Sequence, residues 1–438
     1  MDISLMMFPA LLVLLFFGIP VAYSLFAVSL VFGFLRFGDK AVFQLVSKVH
    51  DVAGNYIIAA VPLFVFMGCM LERAGIAERL FDAFHLWTRR LPGGLAVGTI
   101  LLGVVFAAAS GVVGATETVI GLLAIPIMMK HGYDKSLISG TICSGGSLGT
   151  VIPPSVLVII LAPVADVSVG DLFAGLLFPG LIMAGLFILY IVVRCAIDPS
   201  LAPSVVEESD GAVDWLTMIR VTVVALIPPV FLILTVLGTI LMGLATPTEA
   251  AACGAVGAAL LTALNGQFTL PLLGDAARRT LLVTGMILTI LLAGSMFAGV
   301  FIASGGVSSV RDLLTAADLS AWSTLLLILF LAFLAGFALD LVSVILVLVP
   351  IAMPVVRALG FDPVWFCILF LVMIQTSYLT PPMAPSIFYL RAISPPEITL
   401  RHMYRGVIPF ILLQLVTLLL ILVFPRLALW LPSQIVGF

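Results

Sequence analysis

Two proline pairs set inside apolar runs constrain this chain more than anything else in it. The first closes Ser144-Gly145-Gly146-Ser147-Leu148-Gly149-Thr150-Val151-Ile152-Pro153-Pro154-Ser155. Adjacent prolines remove two backbone donors and disfavour α geometry at the residue before them. The glycines upstream let the backbone bend and approach a neighbour closely. Residues 137–143 and 156–162 are apolar on either side, so the stretch reads as a membrane helix broken at mid-depth. Carbonyls freed inside a bilayer are tolerated only where protein, water or an ion satisfies them. The same grammar returns in Gln375-Thr376-Ser377-Tyr378-Leu379-Thr380-Pro381-Pro382-Met383-Ala384-Pro385-Ser386. Two broken helices in corresponding places of two halves point to the ion and substrate site of a transporter.

The chain has 438 residues, 63% hydrophobic and 9% charged, against about 25% charged in a soluble domain. It is therefore a polytopic membrane protein, and the net charge of −3 resides in loops. Cys69, Cys143, Cys195, Cys253 and Cys367 sit in apolar segments with no metal or disulfide spacing, as small hydrophobes do. The start has no basic region, and its apolar run is too long for a signal peptide, so the first segment is expected in the mature protein.

Residues 3–18 and 21–36 read as two short spans around Gly18-Ile19-Pro20. Arg36, Asp39, Lys40 and Lys48 mark a polar loop, and 54–71 a further span. From Glu72 to Arg90, charges interleave with Ile76, Leu80, Phe81, Phe84 and Trp87, the pattern of an amphipathic surface helix. The arms 95–109 and 115–129 are shorter than the roughly 20 residues a span needs, which predicts a re-entrant hairpin with its tip at residues 110–117. The broken helix 135–163 and a span at 172–194 complete the half.

A polar linker, 198–214, separates it from a second copy of the pattern. That copy has spans at 217–242, 247–265 and 281–303, an arm from Ser304, a hairpin over 322–356 with its tip at 336–343, the broken helix 362–391 and a span at 404–424. In domain terms, 1–91 is first-half scaffold and arm, 92–163 first transport region, and 164–216 span and linker. The second half follows as scaffold and arm 217–321, transport region 322–391 and terminal span 392–438. Five crossings per half, an odd number, make the two halves an inverted repeat whose hairpins enter from opposite faces. The predicted fold class is thus an all-α polytopic inverted-repeat transporter with two re-entrant hairpins and two broken helices. With the first surface helix in the cytoplasm, only Arg36, Lys40, Lys48, Arg311, Arg357 and Arg426 of the 19 Lys and Arg residues lie outside. This bias places both termini outside.

Unwound carbonyls and hydroxyls suit a cation such as Na⁺, and helix N-termini suit an anion. Symmetry predicts one cation site per repeat. Oxygens near Ser110, Gly149, Ile152 and Pro154 are candidates for the first, and those near Gly336, Ser377, Thr380 and Met383 for the second. Gly114, Thr116, Ser155, Asp340, Ser343 and Ser386 make up the candidate substrate region. Two acids lie within the apolar hairpins, Glu117 and Asp340. An ionisable group at that depth suggests function, and a helix-capping carboxylate is the plain alternative. Asp340 ranks above Glu117, which falls past its tip. Glu249, behind Thr246-Pro247-Thr248, reads as a helix N-terminal carboxylate beneath a threonine cap.

Enzymatic readings lack support. His50, His85, His131 and His402 have no metal-binding spacing, and there is no HExxH, nucleophile elbow or P-loop. An intramembrane hydrolase would need Asp340 and Glu117 face to face. A channel-like facilitator of organic anions, without Na⁺ coupling, is the alternative from another class.

At these motifs the chain resembles the large membrane subunit (M, or DctM-like) of tripartite ATP-independent periplasmic (TRAP) transporters. The resemblance is carried by Gly132-Tyr133-Asp134-Lys135, Gly149-Thr150-Val151-Ile152-Pro153-Pro154-Ser155, Ala245-Thr246-Pro247-Thr248-Glu249-Ala250-Ala251-Ala252 and Leu379-Thr380-Pro381-Pro382, and covers essentially the whole chain. It implies Na⁺-driven uptake by an elevator motion in the bacterial inner membrane. It also implies two partners, a small four-helix membrane subunit (Q type) and a soluble periplasmic substrate-binding protein (P type). No extra helices precede residue 5, so the small subunit is expected as a separate chain. The first tip departs from the Ser-rich form common in the family. With Gly360-Phe361-Asp362-Pro363 and Tyr404-Arg405-Gly406 it looks like the branch labelled mannitol/chloroaromatic. The second tip, Asp340-Leu341-Val342-Ser343, departs from that branch, which often has Trp and Glu after the Asp. The implied substrate is a small organic anion: a carboxylate, a 2-oxo acid or a sulfonate.

Overall fold

The computed structural model describes residues 3–111, 114–203 and 215–435. Twenty α-helices are described and, among the described residues, no strand. The first half runs α1 (Met7–Phe16), α2 (Val21–Phe37), α3 (Lys40–Ala53), α4 (Ala60–Arg73) and α5 (Ile76–Thr88). Its hairpin is α6 (Gly94–Ser110) with α7 (Ala115–Lys130), its broken helix α8 (Lys135–Ser147) with α9 (Val156–Ala165), and its last span α10 (Val169–Ile197). The second half repeats the order as α11 (Trp215–Leu241), α12 (Pro247–Leu264), α13 (Leu270–Ala303) and α14 (Gly306–Ala316). Then come the hairpin α15 (Ala321–Ala335) and α16 (Leu341–Ala358), the broken helix α17 (Pro363–Leu379) and α18 (Pro385–Ile393), the span α19 (Leu400–Val423), and a short α20 (Arg426–Ile435). Seven helices among the described residues are long and apolar enough to cross a bilayer: α4 with its leading 3-10 turn, α10, α11, α12, α13, α16 and α19.

Packing follows the repeat. In the scaffold α4 lies on α12, and α13 on α2. In the transport region α7 of the first hairpin packs on α18 of the second broken helix, and α16 of the second hairpin on α9 of the first. The two hairpins are thus interleaved, each touching the broken helix of the other repeat as well as that of its own. Burial separates the layers. Residues 137–165 are buried almost without interruption, as are 365–379. By contrast α1, α2 and α11 leave Phe16, Phe17, Leu35, Phe231 and Leu234 exposed, the outward face expected in lipid.

The first half differs from the sequence reading after Arg36. The polar loop after Arg36 is a helix, α3, because Ala41 and Leu45 recur at helical spacing and are buried. Gln44 Nε2 donates to the Gly299 carbonyl at 3.1 Å and pins α3 to the scaffold. Together α3, the 3-10 turn Tyr56–Ala59 and α4 cover Lys40 to Arg73, matching the unbroken 34-residue α13. Asn55 makes the difference. Its side chain accepts from Ile57 N at 3.0 Å and starts a new turn there. A third proline pair, Pro228-Pro229, lies inside the continuous α11; membrane helices tolerate proline where neighbours satisfy the freed groups. The linker from 204 to 214 lies outside the described residues.

Thr246 and Glu249 form a reciprocal capping box at the start of α12. Glu249 N approaches Thr246 Oγ1 at 3.3 Å, and Thr246 N approaches Glu249 Oε2 at 2.8 Å. The expected structural role is the one observed. Thr246→Ala should cost about 1 kcal/mol, read as a lowered thermal unfolding midpoint in detergent with uptake retained.

Candidate transport site

Each break is built from small and hydroxylated residues whose hydroxyls turn back onto their own helix. Ser144, Ser147 and Thr150 donate to Thr141 O, Ser144 O and Ser147 O at 3.2, 2.9 and 2.9 Å. Thr376, Ser377 and Thr380 donate to Val372 O, Ile374 O and Thr376 O at 2.8, 2.7 and 2.6 Å. These are the i−3 and i−4 back-bonds that serine and threonine make within a helix, and they compete with its regular ladder just before each proline pair. Beyond them the chain unwinds. A 3-10 turn, Leu148–Thr150, leads to Pro153-Pro154, and Thr380 leaves α17 in an extended conformation toward Pro381-Pro382. Both proline pairs are joined by cis peptide bonds.

The hairpin tips close on these breaks. Val156 N donates to Gly111 O at 3.2 Å. Gly111 has φ +59°, and a Cβ there would stand 3.0 Å from Pro154 O. At the second break a Cβ on Gly336 would stand 2.0 Å from Ser377 Oγ. Each tip therefore reaches its break through a glycine. Among the described residues no donor reaches the carbonyls of Gly149, Ile152 or Pro154 at the first break, nor those of Gly336, Thr380 or Met383 at the second. The Ser377 carbonyl accepts from Thr380 N at 3.0 Å. Carbonyls without a donor on unwound backbone are the kind of ligand a hard cation such as Na⁺ takes. The side chain of Ser110 and residues 112 and 113 lie outside the described part. The first break is buried, whereas Pro382 and Met383 are exposed.

The candidate substrate residues divide. Gly114 lies against the ring of Tyr389, to which a Cβ would come within 2.9 Å. Thr116, Ser155, Ser343 and Ser386 are buried, and the hydroxyls of Ser155 and Ser386 close no hydrogen bond. Tyr389 also stands near both hairpin acids, Glu117 and Asp340, so the two tips gather around α18. Asp340 is exposed and caps α16, accepting from Val342 N at 3.1 Å, from Ser343 N at 3.3 Å and from the Ser343 hydroxyl. Its capping role explains its place.

Glu117, ranked lower from sequence, is the acid that is fully buried and reaches across the repeats, accepting from the Tyr378 hydroxyl at 3.3 Å. A second buried cross-repeat contact was not anticipated. Gln375 of α17 and Gln414 of α19 direct their amides to Ser147 Oγ at 3.2 and 3.5 Å. Glutamines inside apolar helices were the available signal. A cavity of about 270 Å³ lies where α3 and α13 face α9 and α16, lined by Lys48, Asp51, Asn55, Ser295, Pro163 and Leu346. Lys48 pairs with Asp51 at 2.8 Å. Among the described residues no three His, Cys, Asp or Glu side chains gather as a metal cluster.

Interleaved hairpins closing on two broken helices, inside a layer of long spans, define a membrane carrier made of two related halves. Residues 8–427 match the family "Tripartite ATP-independent periplasmic transporter, DctM component", and the chain belongs to it. It is 31% identical to the C4-dicarboxylate TRAP transporter large permease protein DctM of Pseudomonas aeruginosa, over 91% of each chain. It is 29% identical to the ectoine/5-hydroxyectoine large permease UehC of Ruegeria pomeroyi and 28% to the sialic acid large permease SiaM of Vibrio cholerae, each over 97% of both chains. The fold is shared with the YdaH transporter of Alcanivorax borkumensis, at a TM-score of 0.61 and 17% identity, over 97% of this chain and 99% of that one. The protein is a multi-pass TRAP large permease, and its relatives are transport subunits rather than enzymes.

Proposed function

We propose that this permease imports a small organic anion coupled to Na⁺, one ion bound at each helix break. The observation that carries this reading is the set of open carbonyls at Gly149, Ile152 and Pro154 and at Gly336, Thr380 and Met383. The anion is a carboxylate, 2-oxo acid or sulfonate; relatives are named for C4-dicarboxylates, ectoine and sialic acid, all of which carry a carboxylate. A periplasmic binding protein delivers it, and a small four-helix membrane subunit sits beside the scaffold. The hairpins and broken helices carry the load as a unit past α2, α4, α12 and α13, in an elevator motion across the bacterial inner membrane with both termini outside.

Proteoliposomes holding the chain, its small subunit and the binding protein of the same operon test this. Uptake of succinate, N-acetylneuraminate, ectoine, pyruvate and taurine is measured with and without an inward Na⁺ gradient. Uptake that needs both Na⁺ and the binding protein is expected. Thr380→Trp, which fills the second break, should reduce uptake to background with insertion intact. Full uptake by that variant, or uptake indifferent to Na⁺, would contradict the reading.

A further inference from the structure

Glu117 stands in the first turn of α7, and its side chain is 0% exposed. It fits there because α8 carries Gly146, where a Cβ would stand 2.0 Å from Glu117 Cγ. Oε2 accepts from Tyr378 Oη. Oε1 and Ser386 Oγ face each other without a well-formed hydrogen bond, and the Cys143 thiol lies beside the same hydroxyl.

The titratable groups facing it are the Cys143 thiol from α8, the Tyr378 phenol from α17 and the Tyr389 phenol from α18. α6, packed along α7, contains no titratable residue. On α5, Arg79 engages Asn265, and Asp82 faces His85 and Glu78. The ion pairs recorded among the described residues, Lys48–Asp51, Arg73–Asp275, Arg279–Glu72 and Arg357–Asp166, lie elsewhere.

A carboxylate at membrane depth without a counter-charge is costly and marks function. The group that completes it must be a small cation held by one carboxylate oxygen and one hydroxyl. A metal ion takes several oxygens, and the remaining neighbours offer a thiol, a glycine and aromatic rings. A proton needs no further ligand: with no counter-charge in reach, protonation leaves the buried carboxyl neutral, and its Oε1–H can donate to Ser386 Oγ.

We propose that Glu117 is a reversible proton-binding site built between the two repeats, a second kind of ion site beside the Na⁺ sites. The carboxylate takes one proton from water to give a neutral carboxyl, and returns one proton to water on unloading. One O–H bond of hydronium breaks as the carboxyl O–H forms, and the reverse occurs on unloading. Resting on the transporter reading above, that proton accompanies the substrate.

The test is infrared difference spectroscopy of the full chain in lipid nanodiscs between mildly alkaline and mildly acidic buffer. It reads the carbonyl stretch of a protonated carboxyl and needs no transport. The expected result is a titrating band that is lost in Glu117→Gln and shifted, but still present, in Ser386→Ala. Glu117→Gln keeps an acceptor for Tyr378, and its thermal midpoint reports whether it folds. If it does not, the Ser386→Ala shift decides. A spectrum in Glu117→Gln identical to wild type, a band that does not titrate, or a band unmoved by Ser386→Ala would overturn the proposal.

In the reconstituted assembly, uptake should change about tenfold per pH unit over the titrating limb, as for a single group, and be flat with pH in Glu117→Gln. A pH profile the same in both would overturn the movement of the proton with substrate. Absent uptake in wild type would count against the transport reading, leaving the spectroscopic result to stand or fall by itself.

Discussion

Gly336→Ala should weaken Na⁺ binding at the second cation site while leaving the protein folded. An added Cβ would stand 2.0 Å from Ser377 Oγ and 2.8 Å from Ser377 Cβ, so rotating the hydroxyl cannot make room. The tip of the second hairpin must lift from the break. Overpacking of this kind costs about 1–3 kcal/mol, which is roughly five- to 150-fold in the affinity of a site that needs tip and break together. The loss should appear in Na⁺ affinity and in uptake, and hardly in the thermal midpoint without Na⁺, because the tip lies at the edge of the packed layer. The double variant Gly336→Ala with Ser377→Gly removes the clash and should restore most of the affinity. Unchanged Na⁺ affinity in the single variant would show that the tip does not form part of the site.

The largest stability effect is expected at the crossing of α8 and α19. A Cβ on Gly140 would stand 2.2 Å from Gly406 O, and one on Gly406 would stand 2.1 Å from Ser136 O. Both obstacles are backbone, so no rotamer relieves them. Small residues that let helix backbones meet are the main source of close packing within a membrane. Gly406→Val should separate the two helices at a cost above about 3 kcal/mol. The protein should then be lost from the monodisperse peak on detergent extraction. Gly285→Ala on α13 is the matched control: a Cβ there meets nothing within 4 Å. It should be neutral or stabilising by up to about 1 kcal/mol through helix propensity. Equal behaviour of the two variants would refute the close crossing.

Much of this architecture is legible in the residues, for identifiable reasons. The first hairpin shows because its arms are too short to span; the second follows from the repeat, since its arm α16 is long enough to cross, and the breaks show because glycine, hydroxyls and a proline pair coincide. Pro228-Pro229 shows that the proline pair alone does not suffice: α11 runs through it, and the five residues before it, Val223 to Ile227, carry none of the glycines and hydroxyls that crowd 144–150 and 376–380. The helix α3 was obscured because its few charges read as a loop, although Ala41 and Leu45 already carried the helical period.

The two acids changed places for a physical reason. Asp340 lies three residues before Ser343 and is taken up in capping its own helix, a purely local matter. Glu117 is defined by what α8, α17 and α18 bring to it: a glycine, a phenol and a serine distant in sequence. Inverted pairing brings these groups together, and no spacing within one segment encodes it.

The central claim, that each helix break holds a sodium ion, is tested most directly by equilibrium binding of radiolabelled Na⁺ to the purified chain in nanodiscs. Two ions per chain are predicted for the wild type. Thr380→Trp should bind one, and Gly149→Trp, which fills the first break, should bind one. Absence of saturable Na⁺ binding, or a stoichiometry that neither substitution changes, would contradict the account.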